Sequence, residues 1–140
     1  MKNLTRTDII SLIGKIGLKP GKSLGQNFMI DENMLDFIVR TAEPSKSDCV
    51  LEVGPGFGSL TRLLLGKVSE IHAVELDIKL FAYLQSEIVD ASFHIIRADA
   101  MKLSLKELFG SREFRIISNL PYAISTPFIL KVIESGAIPS

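Results

Sequence analysis

The chain of 140 residues contains a single cysteine, Cys49, which excludes an internal disulfide framework and suits a reducing compartment. Net charge is missing as well. Sixteen basic side chains balance sixteen acidic ones, so the whole chain lacks the electrostatic footprint of a strong nucleic-acid or membrane-surface binder. No apolar run approaches the length of a membrane span. The one stretch that could pass for a secretory signal, around Ile9 to Ile16, is broken by Gly14 and Lys15, preceded by Asp8 and followed by no small-residue cleavage site. These absences predict a cytoplasmic protein with no membrane partner. Internal repeats, low-complexity tracts and dividing linkers are also lacking. The remainder, 46% hydrophobic and 23% charged, is the makeup of one globular domain over residues 1–140.

The balanced charge hides an asymmetry. Residues 1–30 carry Lys2, Arg6, Lys15, Lys19 and Lys22 against Asp8 alone. A basic arm of this kind can meet phosphates, and it equally suits a solvated surface.

Apolar residues at helical spacing predict a short amphipathic helix over Ile9, Ile10, Leu12, Ile13 and Ile16. A Gly- and Pro-punctuated loop, KPGKSLGQNF at 19–28, follows. Asp31 is placed as the N-cap of a helix over Met34, Leu35, Ile38 and Val39, with Pro44 close behind it. Beyond this point strands and helices alternate. CVLEV (49–53), IHAVEL (71–76), FHIIRA (93–98) and FRIIS (114–118) read as strands. Helices are expected through Leu60 to Leu65, from Asp77 to Ile88 and from Ser125 to Glu134, with a short helix or turn from Leu103 to Phe109. This order implies an α/β fold with a parallel sheet and right-handed crossovers.

Gly54, Gly56 and Gly58 in EVGPGFGSLT follow the first strand, where the backbone has to turn tightly and let a ligand approach. A glycine triplet by itself also suits a tight turn with no ligand. Two carboxylates sharpen the reading. Glu75 ends the second strand, where it can accept from both hydroxyls of a ribose, and Asp99 ends the third, where it can accept from an adenine amino group. The pattern is G-x-G-x-G, with Ser59 where a dinucleotide site would have its third glycine. S-adenosylmethionine, which has a ribose and an adenine but no pyrophosphate, fits this better than a nicotinamide cofactor.

ISNLPYAISTPF (117–128) continues the fourth strand onto the same rim. An exocyclic adenine amine is a poor nucleophile because its lone pair is delocalised into the ring. Two acceptors on its hydrogens favour the tetrahedral geometry and the positive charge that grow during methyl transfer. Asn119 offers its side-chain oxygen and Leu120 or Pro121 a backbone carbonyl. Pro121 also stiffens the chain, and Tyr122 presents an aromatic face to a flipped base. An ordinary post-strand turn would use the same Asn and Pro.

Four blocks, KSLGQNFMID (22–31), LEVGPGFGSLT (51–61), VELD (74–77) with ADAMK (98–102), and NLPYAISTP (119–127), resemble the ribosomal RNA adenine N6,N6-dimethyltransferases. The resemblance implies a Rossmann-like class I S-adenosylmethionine-dependent methyltransferase fold, truncated after strand four and its following helix. The chain would then be a single cofactor-binding domain lacking the family's C-terminal helical domain. Two methyl groups would go onto N6 of each of two adjacent adenosines of small-subunit ribosomal RNA. The resemblance also implies cofactor contacts at Gln26, Asn27, Met29, Gly54, Gly56, Gly58, Glu75, Leu76, Asp99, Ala100 and Asn119, and a target-base site at Asn119, Leu120, Pro121 and Tyr122. Within the motifs, Met29 stands where leucine is usual and Ser118 where glycine or alanine often precedes the asparagine. An unpaired edge on strand four would allow self-association.

A DNA adenine methyltransferase, an rRNA methyltransferase conferring antibiotic resistance, and a non-catalytic nucleic-acid-binding relative remain alternatives. His72 and His94 lie on different strands with no metal-ligand spacing around them, which predicts structural roles. Cys49 sits at the end of the sheet away from the cleft, which disfavours thiolate-dependent pyrimidine methylation. Phe28, Phe81, Phe93 and Phe114 are expected in the core, and Phe128 is left open.

Overall fold

The computed structural model describes residues 4–19, 31–137 and 139–140. Its centre is a four-stranded, all-parallel sheet in the order β3-β2-β1-β4, formed by β1 (Cys49–Val53), β2 (Glu70–Glu75), β3 (Phe93–Arg97) and β4 (Arg115–Ile116). β1 is buried at every position, as a parallel strand covered on both faces should be.

Helices α1 (Arg6–Lys15), α2 (Glu32–Ala42), α3 (Ser59–Leu64) and α4 (Ile78–Glu87) cover one face. There Ile9, Leu35, Leu60, Leu64, Leu80 and Leu84 pack on Val50, Ile71 and Ala73. Helices α5 (Leu105–Phe109) and α6 (Ser125–Glu134) cover the other face, with Leu105, Phe109, Phe128 and Val132 on Leu51, Val53 and Val74. The two-residue period of the strands divides these clusters, since Val50 points one way and Leu51 the other. Phe128 is thus a core residue, as are Phe93 and Phe114. Phe81 is only half-buried, and Phe28 lies outside the described residues.

Local chemistry sets the helix starts. Thr5 and Asp8 form a reciprocal capping box at α1. Asp31 and Asp77 accept from the first free amides of α2 and α4, and each such cap contributes about 1 kcal/mol. Pro127 falls in the first turn of α6, where its missing N–H costs nothing.

Strand four is shorter than the sequence predicts. Ile117 still donates to the Leu51 carbonyl at 3.1 Å, but the next rung is taken over by a side chain, with Val53 N–H donating to Ser118 Oγ at 2.8 Å. Once a hydroxyl replaces the main-chain partner, the backbone is free to leave the sheet. It does so at Asn119.

The order β3-β2-β1-β4 also fixes where a ligand can enter. The chain passes from β1 through α3 to β2 on one side, and reaches β4 on the other side of β1 by way of β3 and α5. Loops leaving the carboxyl ends of β1 and β4 therefore diverge and leave a crevice between them.

Candidate functional site

That crevice holds a cavity of about 340 Å³, at the lower end of the range for small-molecule sites. Gly54, Gly56, Glu75, Leu76, Asp99, Ala100, Asn119, Leu120, Pro121 and Tyr122 all line it. The structure thus brings together three blocks that are far apart in sequence. Gln26, Asn27 and Met29 lie outside the described residues.

The glycine loop and the post-strand segment depend on each other. Gly54 has φ +68°, and a Cβ there would stand 3.3 Å from Cγ and Cδ of Pro121. Gly54 is therefore required both by its left-handed backbone and by the proline ring laid against it. Pro121 in turn leads into a single 3₁₀ turn, Tyr122–Ile124, which holds the Tyr122 ring at the rim, 89% exposed. Asn119 is half-buried, and among the described residues no hydrogen bond takes its carboxamide.

Gly58 behaves differently from the other two loop glycines. It is absent from the cavity wall; its φ is +80°, and a Cβ would meet Leu84 Cδ2 at 2.9 Å and Ile88 Cδ1 at 3.2 Å. Its observed part is to seat the start of α3 against α4.

Glu75 is buried, with Oε2 accepting from Gly56 N–H at 3.3 Å and Oε1 from Asp77 N–H at 2.9 Å. Burial raises its carboxyl above the usual range, against the lowering pull of the Asp77 and Gly56 amides. Each carboxylate oxygen keeps capacity for a further donor. Asp99 is half-buried and accepts from Met101 N–H at 2.9 Å, which fixes its orientation at the end of β3.

One wall residue, Glu52, is given no role by the sequence motifs. Glu52 is 2% exposed and accepts a 2.6 Å hydrogen bond from Thr61 Oγ1. Burial pushes its carboxyl from the ordinary 4.5 up to about 7, Thr61 opposes the shift, and the nearby Glu75 adds to it. The signal in the sequence was a lone acid inside the otherwise apolar run CVLEV.

The charge of the wall discriminates between ligands. Among the described residues it contains Glu52, Glu75, Asp77 and Asp99 and no Lys, Arg or His. A pyrophosphate would meet four acids here, whereas a ligand with a cationic centre and ribose hydroxyls meets acceptors suited to both.

The opposite, amino-terminal end of the sheet departs from expectation. Pairing of β2 with β3 sets His72 beside His94, with ring centroids 4.9 Å apart. Their Nε2 atoms lie 3.3 and 3.6 Å from Glu70 Oε2, and a Glu70 carboxylate oxygen and a His72 ring nitrogen lie within 4.8 Å of Cys49 Sγ. The histidines are therefore not isolated, because parallel register gathers what sequence spacing kept apart.

Comparison with known proteins bears on this geometry. The model of the family described as ribosomal RNA adenine dimethylase matches residues 17–140. A Clostridium botulinum protein named ribosomal RNA small subunit methyltransferase A is 41% identical over 124 residues, covering 87% of this chain and 45% of the relative. A Ureaplasma urealyticum protein of the same name is 36% identical over 96% of this chain and 50% of the relative. The chain thus spans about half the length of the curated relatives it matches. Among solved structures, a dimethyladenosine transferase from Plasmodium falciparum superposes with a TM-score of 0.64 at 28% identity, over 74% of this chain and 37% of that one. The 23S rRNA methyltransferase ErmE gives 0.65 at 25% identity, over 79% of this chain and 44% of that one. Sheet order, cavity position and these superpositions describe a Rossmann-like methyltransferase fold. The chain belongs to the ribosomal RNA adenine dimethylase family.

Proposed function

We propose that this chain is the cofactor-binding part of an S-adenosylmethionine-dependent ribosomal RNA adenine N6,N6-dimethyltransferase, acting on adjacent adenosines of the small-subunit RNA. The observation that carries the reading is the shared wall of one cavity, where Gly54 and Gly56, Glu75, Asp99 and the Asn119–Tyr122 segment meet. The names of the relatives support the RNA substrate.

The residues present fit the cofactor. The wall is acidic and without basic side chains among the described residues, and Glu75 holds a buried carboxylate toward it. Glu75 would hold the ribose hydroxyls, Asp99 the adenine amino group, and Leu76 and Ala100 the faces of the adenine ring. When bound, S-adenosylmethionine supplies an electrophilic methyl on a sulfonium. The chain's own work is positional and electrostatic. Asn119 Oδ1 and a carbonyl of Leu120 or Pro121 would accept from the two hydrogens of the target amine, which concentrates its lone pair and stabilises its growing positive charge. Tyr122 would stack on the extruded base. The stiffness of the arrangement comes from Pro121 wedged on Gly54.

The test incubates labelled S-adenosylmethionine and undermethylated small ribosomal subunits with this chain and with one of its relatives' full length. The reading requires label in dimethyladenosine of the RNA with the longer chain. Label on another base, or none from either chain, overturns it. Pairing of two copies through the outer edge of β4 is part of the same proposal, and a strictly monomeric mass by light scattering would remove that part.

A further inference from the structure

The end of the sheet remote from the cavity collects four side chains whose donor atoms suit a metal of the zinc class. Cys49 opens β1, Glu70 opens β2, His72 follows two residues on, and His94 stands beside it on β3. Sγ of Cys49, a carboxylate oxygen of Glu70 and a ring nitrogen of His72 all lie within 4.8 Å of one another. His94 Nε2 is 3.6 Å from the same Glu70 Oε2 that His72 Nε2 approaches to 3.3 Å. Donors around a tetrahedral zinc sit about 3.3–3.8 Å apart, from bond lengths of about 2.0–2.3 Å. His94 lies outside the 4.8 Å group and approaches it at Glu70.

A second observation points the same way. His72 is 9% exposed, and its Nε2 is buried without a hydrogen bond despite the proximity of Glu70. This buried imidazole nitrogen faces the Glu70 carboxylate at ion-pair distance but without hydrogen-bond geometry, an arrangement that a cation held between them would satisfy. Glu70 is already oriented for the task, with Oε1 paired to Arg112 Nη1 at 2.5 Å while Oε2 faces the two rings. Arg112 is the one cation beside the cluster among the described residues and works against a second positive charge, partly offset by its 52% side-chain exposure.

We propose that Cys49, Glu70, His72 and His94 form a structural site for a zinc-class divalent cation that clips β1, β2 and β3 together. Four protein donors leave no open coordination position, which marks the site as structural and not catalytic. On binding, the Cys49 S–H bond breaks, its proton passes to solvent, and the sulfur lone pair bonds the cation. The cation itself drives that deprotonation.

Cobalt(II) is the probe, because thiolate ligation gives a near-ultraviolet charge-transfer band and a tetrahedral field gives strong visible absorption. Titration of the purified protein should show both, saturating at one Co²⁺ per chain and bleached by Zn²⁺. Cys49→Ser should abolish the charge-transfer band. His94→Ala, at an exposed position, should weaken Co²⁺ binding at least about tenfold with circular dichroism unchanged. If Cys49→Ser fails to fold, His94→Ala and the wild-type spectrum decide the matter. No charge-transfer band in the wild type, or Co²⁺ binding equal in wild type and His94→Ala, overturns the proposal.

Discussion

The two ends of the sheet solve the same problem in opposite ways. At the carboxyl end, polar side chains are held by backbone amides and left facing a cavity: Glu75 by Gly56 and Asp77, Asp99 by Met101. At the amino end, ionisable groups are turned onto one another or onto nearby carbonyls. Glu70 takes Arg112, and Arg115 donates to Asp48 at 2.7 Å and to the Ala42 carbonyl at the C-terminus of α2 at 2.6 Å. Backbone anchoring leaves lone pairs for a ligand, while mutual pairing spends them on stability. The carboxyl end is therefore where substitutions should move binding and turnover. The amino end is where they should move the unfolding midpoint.

The largest expected effect is at Asn119. Asn119→Ala should lower methyl-transfer turnover by on the order of 10²–10³ while cofactor affinity and unfolding midpoint stay near wild type. A large loss of stability would place Asn119 on the wrong side of the comparison.

Next comes Glu52, the most deeply buried of the carboxyl-end acids. Its folded-state value lies above the ordinary 4.5, so the folded protein holds the proton more tightly than the unfolded chain. The stability this contributes is complete below the ordinary value and disappears as pH rises through about 7, a change on the order of 3 kcal/mol. Urea denaturation at about pH 5 and about pH 8 should show the fall, and Glu52→Gln should flatten it. Buried Glu75, raised in the same direction, leaves a smaller slope in that variant.

Gly58→Ala should cost about 1–3 kcal/mol, from the left-handed backbone and the 2.9 Å approach to Leu84. Since Gly58 does not line the cavity, S-adenosylmethionine affinity measured well below the midpoint should change little. The smallest effect is at Arg115, half-buried and partly screened. Arg115→Ala should lower stability by about 1 kcal/mol and leave affinity untouched.

Much of this was legible in the residues. The four strands and their intervening helices followed from apolar period and from caps such as Asp31. The rim followed from Glu75, Asp99 and Asn119, each sitting where a parallel strand ends. Three features were not legible, for physical reasons. Strand register is a tertiary fact, so nothing in the spacing of Cys49, Glu70, His72 and His94 showed that they meet. Gly58 matched a ligand-loop pattern while serving helix packing, and only the position of Leu84 separates the two uses. Strand four ends early because Ser118 substitutes its hydroxyl for a backbone partner, a competition that propensity does not register.

Calorimetric titration of this chain with S-adenosylmethionine and with NAD, for wild type and Glu75→Ala, tests most directly the claim that the acidic hollow at the carboxyl end takes a cationic nucleoside. The account predicts heat from S-adenosylmethionine alone, with affinity reduced at least about tenfold in Glu75→Ala, as loss of a charge-assisted hydrogen-bond pair to the ribose should give. Equal S-adenosylmethionine affinity in both proteins, or saturable binding of NAD, would contradict it.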